Sequence, residues 1–535
     1  MSSLLSSLNM TANTLSVNEK AISVVSHNVA NMNTEGYHKQ RVNLETRNIA
    51  GAIGNNVNNQ IKANGGVKIA NVIRYNDEYL NNYYRTQISE QKKLEQQLDG
   101  LDNLASILDD LEGTGLDDAL SSFYEALNNL NEYPASSTAR INFIETAKTL
   151  TSRMNAKYEQ LGRNTTEALG DGESEESLKN SKIYIQYTEF NNKLEELASV
   201  NKALITTQTG TLEANNLLDK RDLILNEIAE FADIKVVEKH NGAVNLYIGD
   251  TAVVKCAEVT GKLEIETAAS YCAKQNPPIT YPDDWDGENA VISIINPDNN
   301  EVINKNANSV ITSGTLGGLL HFATDNGDGE KGINAGTVMK GLDSLAQALA
   351  NVFNKLNTRQ GAYCINPNDT GKLQETTADN LIFVGADGTG QGITAGNIQI
   401  NSALLADDGC WKLACAYFED PASNFDENAV GNSQNAVAML GTRSEKLALL
   451  NEQSIEDFYT GLVGKVASAG SNIESLLDTQ NAVLESLEAQ IKDATGVDLN
   501  EELVDLVKYQ TAYAAAAQVF NTCNNCLDVL MSLGG

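Results

Sequence analysis

Four histidines, at 27, 38, 240 and 321, and seven cysteines, at 256, 272, 364, 410, 415, 523 and 526, are the side chains of this 535-residue chain best suited to metal binding or nucleophilic attack. Their spacing builds little. No His-Glu-x-x-His, no Gly-x-Ser-x-Gly and no P-loop occurs. Cys523-Asn-Asn-Cys526 has the spacing of zinc and redox pairs, but no second pair or nearby histidine accompanies it. The two fall one turn apart in a helical pattern, where cysteine acts as a small apolar residue. Cys256 with Cys272, and Cys410 with Cys415, are close enough in sequence to pair in an oxidising environment. The loop "GADGTGQG" (Gly385 to Gly392) lacks the Lys-Ser/Thr that would hold a phosphate, and "NGDGE" (Asn326 to Glu330) is too short for a calcium loop. Acid pairs such as Asp109/Asp110 and Asp407/Asp408 read as solvated. No catalytic, metal or cofactor site is expected.

The stretch with the most chemical specificity is instead one of hydrogen bonding and backbone shape. "NVANMNTEGY", Asn28 to Tyr37, follows a helical segment that is apolar at helical spacing and nearly uncharged. Asparagine terminates helices by bonding local backbone groups and tolerating positive φ. Thr34 can close a side-chain turn, Gly36 supplies a conformation costly to other residues, and Tyr37 anchors the chain with an apolar body and a hydroxyl. An ordinary helix stop accounts for the Asn and Gly but not for the whole spacing.

The elements that position this turn can be read from charge and periodicity. With 71 acids against 38 bases the net charge is −33, which disfavours nucleic acid and anionic membrane as partners. No apolar run reaches the roughly 20 residues of a membrane span, and no secretory signal pattern is visible. The acids avoid the ends. Before Thr34 only Glu19 and Lys20, with His27, are ionisable, and after Tyr509 only Asp528 is charged. Helices without a charged outer face pack on more than one side. Leu5, Leu8, Ala12, Leu15, Ile22 and Val29 form one stripe. Leu506, Tyr513, Phe520 and Leu527 recur every seven residues, interleaved with Leu503, Ala517 and Met531, as in a coiled-coil seam. Six of the seven prolines lie between Gln275 and Ala422, leaving room for long helices on either side.

Helices are predicted at Asp77 to Leu111, after "GTG" up to Pro134, at Ala139 to Leu161, within Ser181 to Phe231, at Met339 to Asn357, and throughout from Ala436. A period of two marks strands around Asn241-Gly242. The expected fold is mainly α with β-rich inserts, an elongated multidomain rod whose N- and C-terminal helices pair as a coiled-coil-like terminal domain. The expected division is 1–75 with 480–535 as terminal assembly domain, and 76–234 with 323–358 and 430–479 as helical rod. Residues 235–322 and 359–429 are expected to be β-rich, the latter a variable insert.

Asn28, Val29, Ala30, Asn31, Thr34, Gly36 and Tyr37 fill every fixed place of the N-terminal signature that this chain resembles, that of the axial proteins of the bacterial flagellum: rod, hook and hook-associated proteins. Tyr509, Gln510 and Tyr513 resemble the Tyr-Gln-x-x-Tyr core of the family's C-terminal module. "GYHKQRV", "NNLLDKRD", "SGTLGGLLHF" and "FYTGLVGKVASAG" are similar to the hook-associated branch, and set the chain apart from hook and rod proteins, the nearest alternatives. His27 and His38 stand where that family more usually has non-titrating polar residues.

The resemblance implies a secreted structural adaptor, exported by the flagellar type III route, that forms a ring between hook and filament. Hook protein, a second junction protein, other copies of itself, and an export chaperone on the C-terminal helix would be its partners. An enzyme with assembly ends is the alternative from another class. The assembly motif would be Asn28, Ala30, Asn31, Thr34, Gly36 and Tyr37. Terminal packing would fall to Leu5, Leu8, Leu15 and Ile22 against Leu503, Leu506, Tyr509, Tyr513, Phe520 and Leu527. Both ends are expected to order only when packed against neighbours, because backbone ordering costs about 1–2 kcal/mol per residue.

Overall fold

The computed structural model describes residues 2–46, 66–109, 115–281, 287–323 and 332–532. Helices dominate, at 61% of the described residues. α1 (Ser2–Asn31) leads into a two-stranded antiparallel ribbon, β1 (Gln40–Thr46) with β2 (Val67–Arg74). A helical body follows: α2 (Glu78–Leu108), α3 (Leu116–Glu132), α4 (Ser137–Leu169), α5 (Lys182–Thr206), α6 (Leu212–Phe231), α7 (Gly314–Phe322) and α8 (Ala335–Thr358). The chain closes with α9 (Ile455–Thr495) and α10 (Leu499–Ser532).

Local chemistry sets the helix starts. Asp77, Ser136, Ser181, Thr211, Asn334 and Ser454 each accept the free N–H of the third residue of the helix that follows. The leucine repeat of α2 buries Leu94, Leu101, Leu104 and Leu108. Leu111, the predicted end of that helix, lies outside the described residues, as do Asp110 and Asn326 to Glu330. The core is centred on Phe123, Phe143 and Phe353, all sealed from solvent, with ring centroids 5.0–5.1 Å from Phe123 to the other two. Such aromatic pairs add about 0.5–1.5 kcal/mol beyond burial.

β3 (Lys235–Glu238), β4 (Val244–Ile248), β5 (Thr251–Lys255) and β6 (Glu258–Val259) form an antiparallel sheet in that order, with the predicted turn at Asn241-Gly242. β7 (Lys262–Thr267), β8 (Ala290–Ile295) and β9 (Val302–Asn304) make a second sheet. The insert after α8 holds only short strands, the longest being Asp369–Glu375.

Two expectations need correction, and the cysteine question left open by sequence has an answer. "SGTLGGLLHF" is helical, not β: α7 lies so close to α2 that a Cβ on Gly318 would stand 2.7 Å from Gln96 Cβ and 2.9 Å from the Lys93 carbonyl. Helix is not continuous from Ala436, because residues 442–454 form a loop in which Asn451 and Glu452 take positive φ. Cys256, Cys272, Cys410 and Cys415 are free thiols, and Cys410 and Cys415 are buried in the core. Cys523 and Cys526 lie on α10.

The insert is fastened to the body by Arg140, 1% exposed. Its Nε donates to the Pro134 carbonyl at 2.7 Å, and one terminal nitrogen donates to Cys410 and Leu413 carbonyls at 3.2 and 2.8 Å. Arg140→Met fills the volume and strands three carbonyls. We expect a loss of about 2–4 kcal/mol, read as faster hydrogen exchange across 399–417; an unchanged exchange pattern there would refute it.

Candidate assembly site

The two ends of the chain pair with each other, as expected of the terminal domain. α1 and α10 run antiparallel, with Asn28 beside Glu502, and Ala21 and Val24 beside Tyr509. The strand β1 and the start of α10 meet at the end of α1, so the signature turn sits where three segments converge.

Asn28, 1% exposed, is the pivot. Its Nδ2 donates to the Gln40 carbonyl at 2.8 Å and to Glu502 Oε2 at 2.9 Å. Its Oδ1 accepts from the Gln40 N–H at 3.1 Å and the Tyr37 hydroxyl at 2.7 Å. All four hydrogen-bonding places of one amide are filled, and no other residue type offers that set at this size. His27 Nδ1, 2.9 Å from the Tyr37 oxygen, donates to it. Asn31 Nδ2 caps the carbonyl of His27 at 2.9 Å, and Thr34 donates through its hydroxyl to Asn31 Oδ1 at 3.3 Å. Ala30 is exposed. Burial pushes the Tyr37 hydroxyl pKa up, with the Asp219 and Glu502 carboxylates adding to the effect, so it stays a neutral donor.

Gly36 has φ +71°, at the third position of a turn closed by the Tyr37 N–H to the Thr34 carbonyl at 3.2 Å. Positive φ at that position favours glycine or asparagine. A Cβ there would meet Leu223 Cβ at 3.5 Å, an ordinary contact, so the demand comes from the backbone alone. Gly36→Val should therefore cost about 1–2 kcal/mol and reduce filament-bearing cells, whereas Gly36→Asn should retain them. Equal loss in both variants would mean that the side-chain space, not φ, is what matters.

Beyond the turn, Lys39 ties the ends together again. Its N–H donates to the Thr495 carbonyl at 2.7 Å, capping α9, and its Nζ reaches Glu501 at 2.6 Å and Glu502 at 3.4 Å. Burial works against the Lys39 charge, but the Glu501 and Glu502 carboxylates outweigh it and raise the ammonium pKa.

A second, buried layer joins the turn to α6. His38 Nδ1 lies 2.9 Å from each of the Gly36 carbonyl, Asp219 Oδ1 and a terminal nitrogen of Arg74. Arg74 from β2 donates to Asp219 at 2.7 Å and Asp222 at 2.7 Å; Arg85 from α2 donates to Asp222 at 3.1 Å. Arg221 donates to Asp222 at 2.8 Å and to the Gly242 carbonyl. Asn215 Nδ2 reaches Gln40 Oε1 at 2.9 Å. Gln40, Arg74, Arg85, Asp219, Arg221, Asp222 and Glu502 are not marked as a site by the sequence: "LLDKRD" is legible there only as a family label, and Glu502 carries no local signal.

Of the residues expected to form the terminal seam, Tyr509 packs beside Ala21 and Val24, and the others are enclosed to different degrees. In the single chain Leu5, Leu503 and Tyr513 are exposed, and Leu8, Leu15, Ile22, Leu506, Tyr509, Phe520 and Leu527 are half-buried. The face of α1 that is buried uses Thr11, Val17, Asn18, Ala21, Val24, Val25 and Asn28. The long apolar residues stand beside it. Among the described residues no helix is long and apolar enough to cross a membrane, and no cluster of three or more His, Cys, Asp or Glu could hold a metal ion.

Comparisons with known proteins agree with this geometry. Residues 101–370 match the model of the flagellar hook-associated protein FlgK helical domain, residues 8–38 the flagella basal body rod protein, and residues 493–533 the flagellar basal body rod FlgEFG protein C-terminal region. Flagellar hook-associated protein 1 of Bacillus subtilis is 25% identical over 97% of both chains; that of Salmonella typhimurium is 24% identical over 97% of this chain and 98% of its own. The structure of the flagellar hook junction protein FlgK from Burkholderia pseudomallei shares the fold at a TM-score of 0.54 and 13% identity, covering 76% of this chain and 99% of that one. With its helical body and both terminal modules matched in order, the chain belongs to the flagellar hook-associated protein FlgK family.

Proposed function

We propose that the chain is the structural adaptor of the hook–filament junction, and that its terminal helix pair is the part that enters the flagellar axis. One observation carries this. Asn28 and Glu502 lock the ends into an antiparallel pair whose remaining faces carry exposed apolar side chains, among them Leu5, Leu503, Val504, Val507, Val529 and Met531. Such a surface suits burial against other subunits. Association with hook and other axial proteins follows from membership of the family. Hook protein on one side, a second junction protein on the other, and copies of the chain around a ring are the specific contacts we assign.

Before export the same apolar helix would need cover, which suits a chaperone on α10. Leu5, Leu8, Leu15, Ile22, Leu503 and Tyr513 then serve contacts between subunits rather than within one. No catalysis is assigned. The test is a strain deleted for the gene, with its hook–basal bodies viewed by electron microscopy and flagellin assayed in the medium. Complete hooks without filaments, and flagellin lost to the medium, are expected. Truncated or missing hooks would move the protein inward to hook or rod, and normal filaments would refute the reading.

A further inference from the structure

Most charges on the terminal helices are answered within the chain: Glu501 and Glu502 by Lys39, Asp505 by Lys508. Glu19, Lys20 and Asp528 differ. All three are exposed and have no side-chain partner among the described residues. In a free molecule that is unremarkable in energy, since water solvates them. On helices that become covered on assembly, an unpaired charge is strongly unfavourable.

The register of α1 on α10 fixes where these charges stand. With Asn28 beside Glu502 and Ala21 beside Tyr509, Lys20 lies level with the residues after Tyr509, and Asp528 lies level with the start of α1. At 1.5 Å per residue the two are about 27 Å apart along the pair, so they cannot meet within one chain. Lys20 precedes the buried Ala21 by one residue, whereas Asp528 follows the half-buried Leu527 by one. On antiparallel helices, offsets of opposite sense from the facing positions project to opposite flanks. Glu19, two residues before Ala21, points away from α10 and sits on neither flank.

We propose that Lys20 of one copy pairs with Asp528 of the next, in a lateral contact between identical terminal helix pairs. Opposite charges on opposite flanks suit a head-to-tail contact, which repeats from copy to copy around an axis, whereas a two-fold contact would set like against like. The separation along the axis means that paired neighbours are staggered by about 27 Å. This rests on the proposed role of the helix pair in assembly.

The test is charge reversal in the deletion strain: Lys20→Glu, Asp528→Lys, and both together. Each single reversal should cut the number of filament-bearing cells at least about tenfold, and the double reversal should restore it to within about twofold of wild type. Both positions are exposed, so the purified variants should unfold at the wild-type temperature. Unaffected single reversals, or a double reversal no better than either single one, would overturn the pairing. If the deletion strain itself kept its filaments, the junction reading would fail first, and the two failures are distinguishable.

Discussion

Asp222→Asn should destabilise the folded chain by about 3–5 kcal/mol, the usual cost of removing one partner from a buried ion pair. The carboxylate is 4% exposed and accepts from three guanidiniums. Oδ1 takes Arg85 at 3.1 Å and Arg221 at 2.8 Å, and Oδ2 takes Arg74 at 2.7 Å. Asp219 also holds Arg74, but Arg85 and Arg221 have no second carboxylate as deeply buried. An asparagine amide would leave them facing an N–H₂ group and an uncompensated charge. Burial alone would push the Asp222 carboxyl up, but Arg221, Arg74 and Arg85 outweigh it and hold it well below the usual carboxylate range. The sign of the pH effect follows. A depressed acid contributes its full stability above the unfolded value of about 3.9 and loses it as the pH falls below that. Wild-type stability should therefore drop below about pH 4 more steeply than that of Asp222→Asn. Urea unfolding across pH 3–7 reads both effects, and a loss under about 1 kcal/mol at pH 7 would show the network to be dispensable.

The position of this network gives it a mechanical role. Arg74 ends the ribbon that follows the signature turn, Arg85 is in the body helix α2, and Asp222 is in α6. One carboxylate thus fixes the angle between the terminal helix pair and the helical body. Buried networks of charge-assisted hydrogen bonds resist reorientation, which suits a joint that must hold its angle.

How much of this was legible depends on the range of the interaction. The helices of the body followed from local rules: the leucine repeat of α2, and the glycine turn and Pro134 that bound α3. The Asn241-Gly242 hairpin followed from turn chemistry. The signature turn was recognisable because Asn28, Thr34, Gly36 and Tyr37 bond within ten residues of one another. Its partners were not, because Glu502 is 474 positions from Asn28 and Asp219 is 181 from His38, and nothing in local periodicity encodes that separation. What covers the terminal stripes was illegible for a related reason. Apolar spacing identifies a stripe but not what covers it, and in α1 the small residues Val17, Ala21 and Val24 face the chain's own ribbon and α10, while the leucines stand aside. α7 was lost within the expected β-rich segment because its three glycines, at 314, 317 and 318, lower helix propensity.

The Asn28→Asp substitution should open the terminal helix pair at neutral pH. It exchanges an amide for a carboxylate of the same shape, removing both Nδ2 donations and placing an anion where Glu502 Oε2 now lies 2.9 Å away and the Gln40 carbonyl 2.8 Å away. Glu502 is 2% exposed, so solvent screens the repulsion little. Lys39 remains nearby but is already shared between Glu501 and Glu502. We expect a loss of about 3 kcal/mol or more in pairing free energy, or roughly a hundredfold faster chymotryptic cleavage at Tyr509 and Tyr513 on α10. Two carboxylates at this distance share a proton, so the defect should ease as the pH falls from 8 to 5. Adding Glu502→Gln should recover part of the loss by restoring a donor to the pair. Asn28→Ala, which deletes the same bonds without adding charge, should cost less than Asn28→Asp. If Asn28→Asp left α10 as resistant as in wild type, the Asn28–Glu502 bond would not be what holds the ends together, and the signature asparagine would act on the turn alone.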